Sequence, residues 1–204
     1  MTRKLCPAVS LALTWLLTGL YFAHCDAQPD AAGRPEAWAQ RLSRTGLPNL
    51  HKVSDGLYRG AQPSALGVQE LKKMGVKTIV NLRSAHSDAD FLGDAGLACV
   101  AIPMSAWHPE TEDVVDFLKI ATDKGRTPVF VHCQHGADRT GMVCAVYRIV
   151  VQGWTRDDAI REMTQGGFGH HPIFRDLSSF LRDLDVDALR KAAGLTGEPG
   201  PGRK

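Results

Sequence analysis

The sequence predicts an α/β domain in which a partly parallel sheet carries helices. Short apolar and β-branched segments alternate along the chain with segments of helical periodicity, and this order is typical of strands joined by helices. The chain has 204 residues, of which 44% are hydrophobic and 23% are charged. It is therefore long enough and apolar enough to form one domain with its own core, together with flanking segments.

The first half of the folded region is predicted from local signals. Ser64 is a favourable N-cap and Gly75 a favourable stop for a helix, and the β-branched alternation that follows is typical of a strand. A short helix is expected around Phe91 and Leu92. The remaining predicted elements are a strand at 57–59, a helix at 65–74, a strand at 76–82 and a buried strand at 97–102.

The second half continues this alternation. Between 111 and 122, apolar residues recur with the i, i+3, i+4, i+7 spacing of an amphipathic helix. Residues 128–132 form a short apolar run typical of a buried strand, and the apolar composition of 141–151 predicts a buried helix. A further helix is expected after the N-cap Thr155, and another at 173–184.

The first 27 residues are predicted to be a secretory signal peptide. A short positive region, Thr2-Arg3-Lys4, precedes an uncharged run from 5 to 23, and Cys25-Asp26-Ala27 resembles a small-x-Ala cleavage site. An uncleaved membrane anchor is the alternative, because the uncharged run approaches the length that spans a bilayer. Either reading predicts that the rest of the chain is exported, with a membrane partner only if the leader is uncleaved.

Charge and cysteine content narrow the function classes. The net charge is +2 with histidine neutral, and no basic run or basic–aromatic interleaving is present, so nucleic-acid binding is not indicated. Beyond the leader the chain has three cysteines, Cys99, Cys133 and Cys144. An odd and small number of cysteines indicates at least one free thiol rather than a disulfide framework.

The segment with the clearest chemical content runs from one predicted strand into the next predicted helix. Cys133 closes the strand, Gly136 lies in the connecting loop, and Arg139 opens the helix. A strand–loop–helix connection of this kind turns successive backbone N–H groups toward one point, where a phosphate dianion can bind. The predicted phosphate-binding residues are Gln134, His135, Gly136, Ala137, Asp138 and Arg139.

These residue types suit nucleophilic attack on phosphorus. A helix N-terminus and a nearby arginine stabilise a thiolate, so Cys133 is the predicted nucleophile and would carry a cysteinyl-phosphate intermediate. Arg139 presents a planar fork that grips two phosphate oxygens. Thr140 is expected to donate its hydroxyl toward the sulfur, and His132 to brace the loop. Gly136 is expected to adopt a positive φ or to allow close approach of the phosphate.

Other interpretations of Cys133 stay open at this point. Free cysteine is often a small core residue, in which case Cys133 would be inert. A zinc site formed by His132, Cys133 and His135 is a second interpretation, although no CxxC pair or matching distant motif accompanies them. A resolving disulfide between Cys133 and Cys144 is a further hypothesis for an oxidising compartment.

The motif His132-Cys133-x5-Arg139-Thr140-Gly141 resembles the signature of the cysteine-dependent phosphatase superfamily, in its compact dual-specificity branch. Four further segments resemble bacterial exported tyrosine phosphatases: 57–64, 78–83, 147–154 and 162–169. The resemblance implies a central four- or five-stranded, mostly parallel sheet flanked by helices, phosphate-monoester hydrolysis, no metal, no cofactor and a periplasmic location. The expected division is a leader at 1–27, a linker at 28–48, a phosphatase domain at 49–190 and a flexible tail at 191–204.

The general acid of the reaction has several candidates. The family supplies an aspartate from the loop before the cysteine, but this chain has Ala106 and Trp107 where related exported enzymes carry it. Asp113 and Glu110 are the leading candidates, followed by Asp138. The alternative role of Asp113 and Glu110 is to stabilise a helix N-terminus, and that of Asp138 is to brace the loop through an ion pair.

The resemblance implies a protein phosphatase that acts on phosphotyrosine, with phosphoserine and phosphothreonine as further substrates. Inositol phosphates or other small phosphorylated metabolites are a second possibility, and a catalytically weak phospho-binding module is a third. Trp107 and Phe168 are expected in the core or at the pocket mouth, whereas His170 and His171 are expected to be exposed.

Overall fold

A mixed sheet organises the residues that this computed structural model describes, 34–88 and 96–201. Its six strands are β1 Gln40–Arg41, β2 His51–Ser54, β3 Leu57–Gly60, β4 Thr78–Asn81, β5 Ala98–Ala101 and β6 Val129–His132. The strand order is β1-β2-β3-β6-β4-β5, antiparallel from β1 to β3 and parallel from β3 to β5. The predicted α/β class and mostly parallel sheet are confirmed, while β1 and β2 extend the expected four or five strands to six.

Six helices occur in the described residues: α1 Ala65–Lys73, α2 Thr111–Thr122, α3 Asp138–Val150, α4 Arg156–Gln165, α5 Arg175–Arg182 and α6 Val186–Ala192. The predicted caps of α1 and α4 are confirmed, since Ser64 and Thr155 accept hydrogen bonds from the first turns. α6 was not predicted, although Asp185 caps it by accepting from Ala188 N. The helix expected around Phe91 and Leu92 lies outside the described residues.

The burial of β5 differs from the prediction. The apolar run at 97–102 predicts a buried strand, but three of the four residues of β5 are exposed. β5 is last in the strand order and pairs with β4 alone among the described strands. An apolar run predicts a strand without showing its place in the sheet, and a strand at the edge is covered less than a central one.

β6 lies at the centre of the parallel part of the sheet. It runs between β3 and β4, and all four of its residues are buried. The following helix, α3, is buried except at Arg139, which confirms the buried helix predicted at 141–151. Because ligands bind beyond the carboxyl ends of parallel strands, this arrangement puts the β6–α3 connection at the middle of the functional edge.

The described part of the segment assigned to a linker, 34–48, is packed. Ala39 and Leu47 are buried, and the Ala39 N–H donates to Glu162 Oε1 at 2.6 Å. The described residues from Pro35 onward form one compact unit. The described residues from 35 to 48 therefore belong to the folded domain rather than to a linker. The sequence did not indicate this because strand pairing and burial are not visible in amino-acid composition.

The segment assigned to a flexible tail is packed in its described part as well. Leu195 contacts the hydrophobic core, and the Gly200 N–H donates to Val151 O at 2.9 Å. The predicted leader, 1–27, lies outside the described residues. None of the helices in 34–88 and 96–201 is long and apolar enough to cross a membrane.

A buried ion pair joins the N-terminal segment to the helices. Arg148 Nε lies 2.8 Å from Glu162 Oε2, and Arg148 Nη2 lies 2.8 Å from Glu162 Oε1. Arg148 also donates to Val53 O and Ala37 O, and its guanidinium lies 4.2 Å from the centre of the Trp154 ring. This pair therefore links α3, α4, β2 and the start of the domain.

Candidate active site

The loop that joins β6 to α3, residues 133–137, surrounds the sulfur of Cys133. Cys133 is 3% exposed, whereas Gln134 and His135 are exposed on the outer side of the loop. Gly136 has a φ of +69°, and a Cβ atom there would lie 2.3 Å from the carbonyl carbon of Gly60. The positive φ predicted for Gly136 is confirmed, and the loop packs closely against the end of β3.

The first turn of α3 leaves its backbone N–H groups uncapped. Ala137 is the N-cap residue and makes no side-chain hydrogen bond to the helix. The first bond within the helix runs from Gly141 N to Ala137 O at 2.8 Å. The N–H groups of Asp138 and Arg139 have no partner within the helix and can bind an anion, which the helix dipole also favours.

Arg139 is held at the mouth of this loop by backbone carbonyl groups. Its Nη1 donates to Leu82 O at 3.3 Å and to Met104 O at 3.4 Å. Leu82 follows β4, and Met104 follows β5, so both carbonyls lie at the functional edge of the sheet. Its Nε and Nη2 atoms make no hydrogen bond to the described part of the chain, and they remain available to phosphate oxygens.

The surroundings of Cys133 favour the thiolate. Burial raises the pKa of the Cys133 thiol, but four other contributions together outweigh it. They are hydrogen bonds from the side chain and backbone of Thr140, the charge of Arg139 and a hydrogen bond from the Gly136 N–H. The pKa of Cys133 is consequently below its ordinary value, as a nucleophilic cysteine requires.

The other two cysteines in the described residues have the opposite character. Burial raises the pKa of Cys144 to about 11, and burial together with the charge of Asp88 raises the pKa of Cys99 to about 11. This contrast favours the catalytic interpretation of Cys133 over the inert one. No group of three or more metal-ligating side chains is arranged to hold a metal ion within 34–88 and 96–201.

His132 braces the loop, as predicted, and it does so with a partner that the sequence did not indicate. Its Nδ1 donates to Cys133 O at 3.2 Å, and its Nε2 lies 2.7 Å from Asp88 Oδ2. The side chains of His132 and Asp88 are buried, which makes this pair a rigid support beneath Cys133.

The carboxylate of Asp138 contacts two histidines. Its Oδ1 accepts from His171 N at 2.9 Å, its Oδ2 lies 2.7 Å from His171 Nδ1, and His170 Nδ1 lies 3.2 Å from Oδ1. Burial would raise the pKa of Asp138, but these hydrogen bonds outweigh it and hold the pKa at about 2. Asp138 is therefore ionised and braces the loop, and it is a poor general acid.

The expectation for the two histidines is half correct. The His171 side chain is 48% exposed, as predicted, but that of His170 is 9% exposed because it packs against Asp138. A pair of adjacent histidines gives no local signal of these contacts, because their shared partner Asp138 lies far earlier in the chain, 33 residues before His171.

The leading acid candidates lie at the start of α2. Burial and the charges of Glu110, Asp116 and Glu112 raise the pKa of Asp113 above its ordinary value. Glu110 is the exposed N-cap residue of α2, and its side chain makes no capping hydrogen bond. Asp113 therefore combines partial burial with a tendency to keep its proton, both of which suit a general acid.

The aromatic residues divide between surface and core. Trp107 is 48% exposed and contacts the Phe174 ring edge to face at 4.7 Å between centroids. Phe168 is buried, as the core alternative for it predicts. The guanidinium of Arg59 lies 3.7 Å from the centre of the Phe168 ring. Trp107 and Phe174 thus form an aromatic rim between the loop before α2 and the segment before α5.

Two side chains hold the loop from behind, and neither was singled out in the sequence. Arg59 Nη2 donates to Gly136 O at 2.7 Å. Asn49 has a φ of +55°, and its Nδ2 donates to His135 O at 3.0 Å and to Phe168 O at 2.9 Å. Asparagine adopts a positive φ more readily than most residues, so the residue type at position 49 agrees with this conformation.

Comparison with known proteins identifies the family. A family model described as "DSP-PTPase phosphatase fused to NAD+ Kinase" matches residues 43–175. The chain is 40% identical over 178 residues to the dual specificity protein phosphatase TpbA of Pseudomonas aeruginosa, covering 87% of this chain and 80% of TpbA. Inositol diphosphatase DSP3 of Arabidopsis thaliana is 28% identical over 153 residues, covering 70% of this chain and 73% of that protein.

The fold agrees with this match. A crystal structure of a TpbA variant in complex with pTyr is 38% identical to the chain, with a TM-score of 0.71, and covers 80% of this chain and 100% of that one. The family model spans the β6–α3 loop, the residues behind it and the start of α2. The chain therefore belongs to the dual-specificity (DSP-PTPase) family of cysteine-dependent phosphatases.

Proposed function

We propose that this protein hydrolyses phosphate monoesters through a cysteinyl-phosphate intermediate, with phosphotyrosine in proteins as its main substrate. One observation carries the proposal: the Cys133 thiol, with its lowered pKa, lies within a loop of backbone N–H groups at the uncapped start of α3. A merely phospho-binding module needs the N–H groups and Arg139, but it has no use for a thiolate.

In the first step the thiolate of Cys133 attacks phosphorus. A P–S bond forms as the bond between phosphorus and the leaving oxygen breaks, and Asp113 gives its proton to that oxygen. The backbone N–H groups of 134–139 and the guanidinium of Arg139 hold the three other phosphate oxygens. The products of this step are the free phenol or alcohol and the cysteinyl-phosphate.

In the second step a water molecule attacks the same phosphorus atom. The Asp113 carboxylate takes a proton from the water as the new P–O bond forms and the P–S bond breaks. The departing thiolate is stabilised by Thr140, whose hydroxyl has no other hydrogen-bond partner among the described residues. Inorganic phosphate leaves, and both Cys133 and Asp113 return to their starting protonation states.

Several features support phosphotyrosine as the substrate. The relative TpbA is named a dual specificity protein phosphatase, and a variant of it has been crystallised with pTyr. In this chain the rim formed by Trp107 and Phe174 lies where His171 reaches the loop: Phe174 and His171 are in ring contact at 6.2 Å, and His171 binds Asp138. Aromatic side chains in this position suit an aryl group on the phosphate.

Inositol phosphates are a second candidate, favoured by polar side chains beside the phosphate loop. The Gln62 N–H donates to Gln134 O at 3.3 Å, and the Gln62 side chain contacts both Arg83 and His86. A cation and an imidazole beside the loop suit a substrate with additional phosphate groups. The Arabidopsis relative is named for activity of this kind, as an inositol diphosphatase.

The test is phosphate release by the purified, reduced protein, with Cys133→Ser as the control. The substrates are an aryl phosphate, a phosphotyrosine peptide, a phosphoserine peptide and an inositol polyphosphate. Release that disappears in Cys133→Ser supports the mechanism, and the preferred substrate decides between the two candidates. Tight phosphopeptide binding without release would replace the proposal with the phospho-binding module.

The proposed location is the periplasm, reached through cleavage of the leader at 1–27. The charge pattern of Thr2-Arg3-Lys4, the uncharged run after it and the small-x-Ala site support this proposal. N-terminal sequencing of the protein recovered from fractionated cells tests it. A mature start after Ala27 in the periplasmic fraction supports cleavage, whereas an intact Met1 in the membrane fraction supports the anchor.

A further inference from the structure

Arg59 is a buried cation directly behind the phosphate loop. It lies in β3, is 1% exposed, and forms no salt bridge with any carboxylate of the described residues. Its Nη2 lies 2.7 Å from Gly136 O and 3.4 Å from Ala137 O. Its guanidinium rests 3.7 Å from the centre of the Phe168 ring, whose face attracts a cation.

We infer that Arg59 is a positioning residue for the phosphate loop, a rear clamp that orients the loop's peptide groups toward the scissile phosphate. This inference rests on the proposed function, because it concerns the same loop. Arg59 does not touch the substrate phosphate in this scheme. It acts through the peptide groups that join Gly136 to Ala137 and Ala137 to Asp138.

The geometry of the trans peptide explains how the clamp works. In a trans peptide the C=O and N–H bonds point in opposite directions. When Arg59 holds Gly136 O behind the loop, the Ala137 N–H on the same peptide plane points forward, to the side where phosphate binds. The same reasoning applies to Ala137 O and the Asp138 N–H.

Gly136 makes this clamp necessary. Glycine is permissive in φ and ψ, so the peptide after Gly136 has more freedom to turn over than a peptide after any other residue. A reversed peptide would present the Gly136 carbonyl oxygen to the phosphate dianion and repel it. The charge-assisted bond from Arg59 disfavours that reversal by favouring the carbonyl on the rear side.

Arg59 also contributes charge to the site. The titratable and charged groups that surround it are Cys133, Cys144, Glu162 and Arg148. Glu162 is engaged by Arg148 through two hydrogen bonds and forms no salt bridge with Arg59 within the described residues. The positive charge of Arg59 is thus left to favour the Cys133 thiolate and the bound dianion from behind, while Arg139 acts from the mouth.

Arg148 offers a matched control. It is a second buried arginine that lies over an aromatic ring, but its partners are Glu162 and carbonyl groups outside the loop. Replacing either arginine by lysine keeps the charge and removes the planar fork. A purely structural role for Arg59 predicts that the two lysine variants behave alike apart from their melting temperatures.

The experiment compares Arg59→Lys, Arg59→Met and Arg148→Lys with the wild type in two measurements that need no turnover. Calorimetry gives the affinity for tungstate, an oxyanion that stands in for phosphate. The pH dependence of Cys133 alkylation by iodoacetamide gives the thiol midpoint. We expect tungstate affinity to fall about tenfold or more in Arg59→Lys, the scale of one charge-assisted hydrogen bond, and to be unchanged in Arg148→Lys.

The two Arg59 variants separate orientation from charge. We expect the alkylation midpoint to stay near the wild-type value in Arg59→Lys and to rise in Arg59→Met, which has no charge. If Arg59→Met does not fold, Arg59→Lys still decides, since wild-type tungstate affinity in that variant overturns the inference. Equal losses in Arg59→Lys and Arg148→Lys overturn it too. Absence of phosphate release by the wild type, with tungstate still bound, counts against the proposed function instead.

Discussion

Asp113 and Asp138 carry the same carboxyl group, yet their surroundings give it opposite properties. Asp138 accepts hydrogen bonds from His170 and His171 that outweigh its burial and hold its pKa at about 2. Asp113 has burial and three acidic neighbours, which raise its pKa. A general acid must carry its proton when the substrate binds, so this difference favours Asp113 over Asp138 for the proposed acid role.

Asp113→Asn is expected to reduce hydrolysis according to the leaving group. Phenyl phosphate needs a proton on its departing oxygen, so kcat should fall about a hundredfold or more, the scale of general acid catalysis. Para-nitrophenyl phosphate has an activated leaving group and should lose much less. Steady-state rates on both substrates test this, with Glu110→Gln as the matched control. Equal losses on the two substrates in Asp113→Asn would remove Asp113 from the acid role.

The lowered pKa of Cys133 predicts a dependence of stability on pH. The folded state favours the thiolate, so its contribution is full above the ordinary thiol pKa of about 8.5 and is lost as pH falls through the lower folded value. The free energy of unfolding of the wild type, relative to Cys133→Ser, should therefore rise with pH across this window. Urea unfolding at a series of pH values measures it. A difference that is flat or falls with pH contradicts the lowered pKa.

At the scale of the element, the β6–loop–α3 connection works because a strand end, a glycine and an uncapped helix meet. Gly136 illustrates the constraint, since a Cβ there would lie 2.3 Å from Gly60 C, 2.4 Å from Gly60 O and 2.5 Å from Ala61 N. Gly75 also has a positive φ, of +78°, but a Cβ there would meet nothing within 4 Å. The two glycines therefore separate backbone strain from steric clash.

Gly136→Ala is expected to abolish measurable tungstate binding and phosphate release, because the loop must move away from β3 to admit the methyl group. Gly75→Ala carries a comparable strain of about 1 kcal/mol but should leave both activities unchanged. Calorimetry and melting temperatures of the two variants test this. The expectation fails if Gly136→Ala binds tungstate like the wild type, or if Gly75→Ala loses binding while it remains folded.

The sequence predicted those parts of the site that are contiguous in the chain. Cys133, Arg139 and the positive φ of Gly136 follow from one short segment, because strand, loop and helix signals are local. Arg59, Asp88 and Asn49 reach the loop only through the packing of distant segments, so no local pattern marks them. The same reason explains β1 and β2, whose strand character depends on pairing across the sheet more than on their own composition.

At the scale of the whole molecule, the Arg148–Glu162 pair connects the N-terminal segment to helices α3 and α4. Glu162 on α4 accepts from Arg148 on α3 and from the Ala39 N–H of the N-terminal segment. Both side chains of the pair are buried, with 3% and 4% of their surface exposed. Removing one partner of such a pair leaves an uncompensated buried charge, whereas replacing both removes the charge altogether.

Glu162→Leu is therefore expected to lower the free energy of unfolding by about 3–5 kcal/mol, because Arg148 keeps its charge without a partner. The double variant Arg148→Met/Glu162→Leu should be more stable than Glu162→Leu alone, although it also leaves the Ala39 N–H unpaired. The exposed pair Lys119–Asp116 provides the control, and Asp116→Asn should cost less than about 1 kcal/mol. Urea unfolding of all three variants measures these differences. A double variant less stable than Glu162→Leu would show that Arg148 stabilises the domain through its carbonyl and ring contacts rather than through the ion pair.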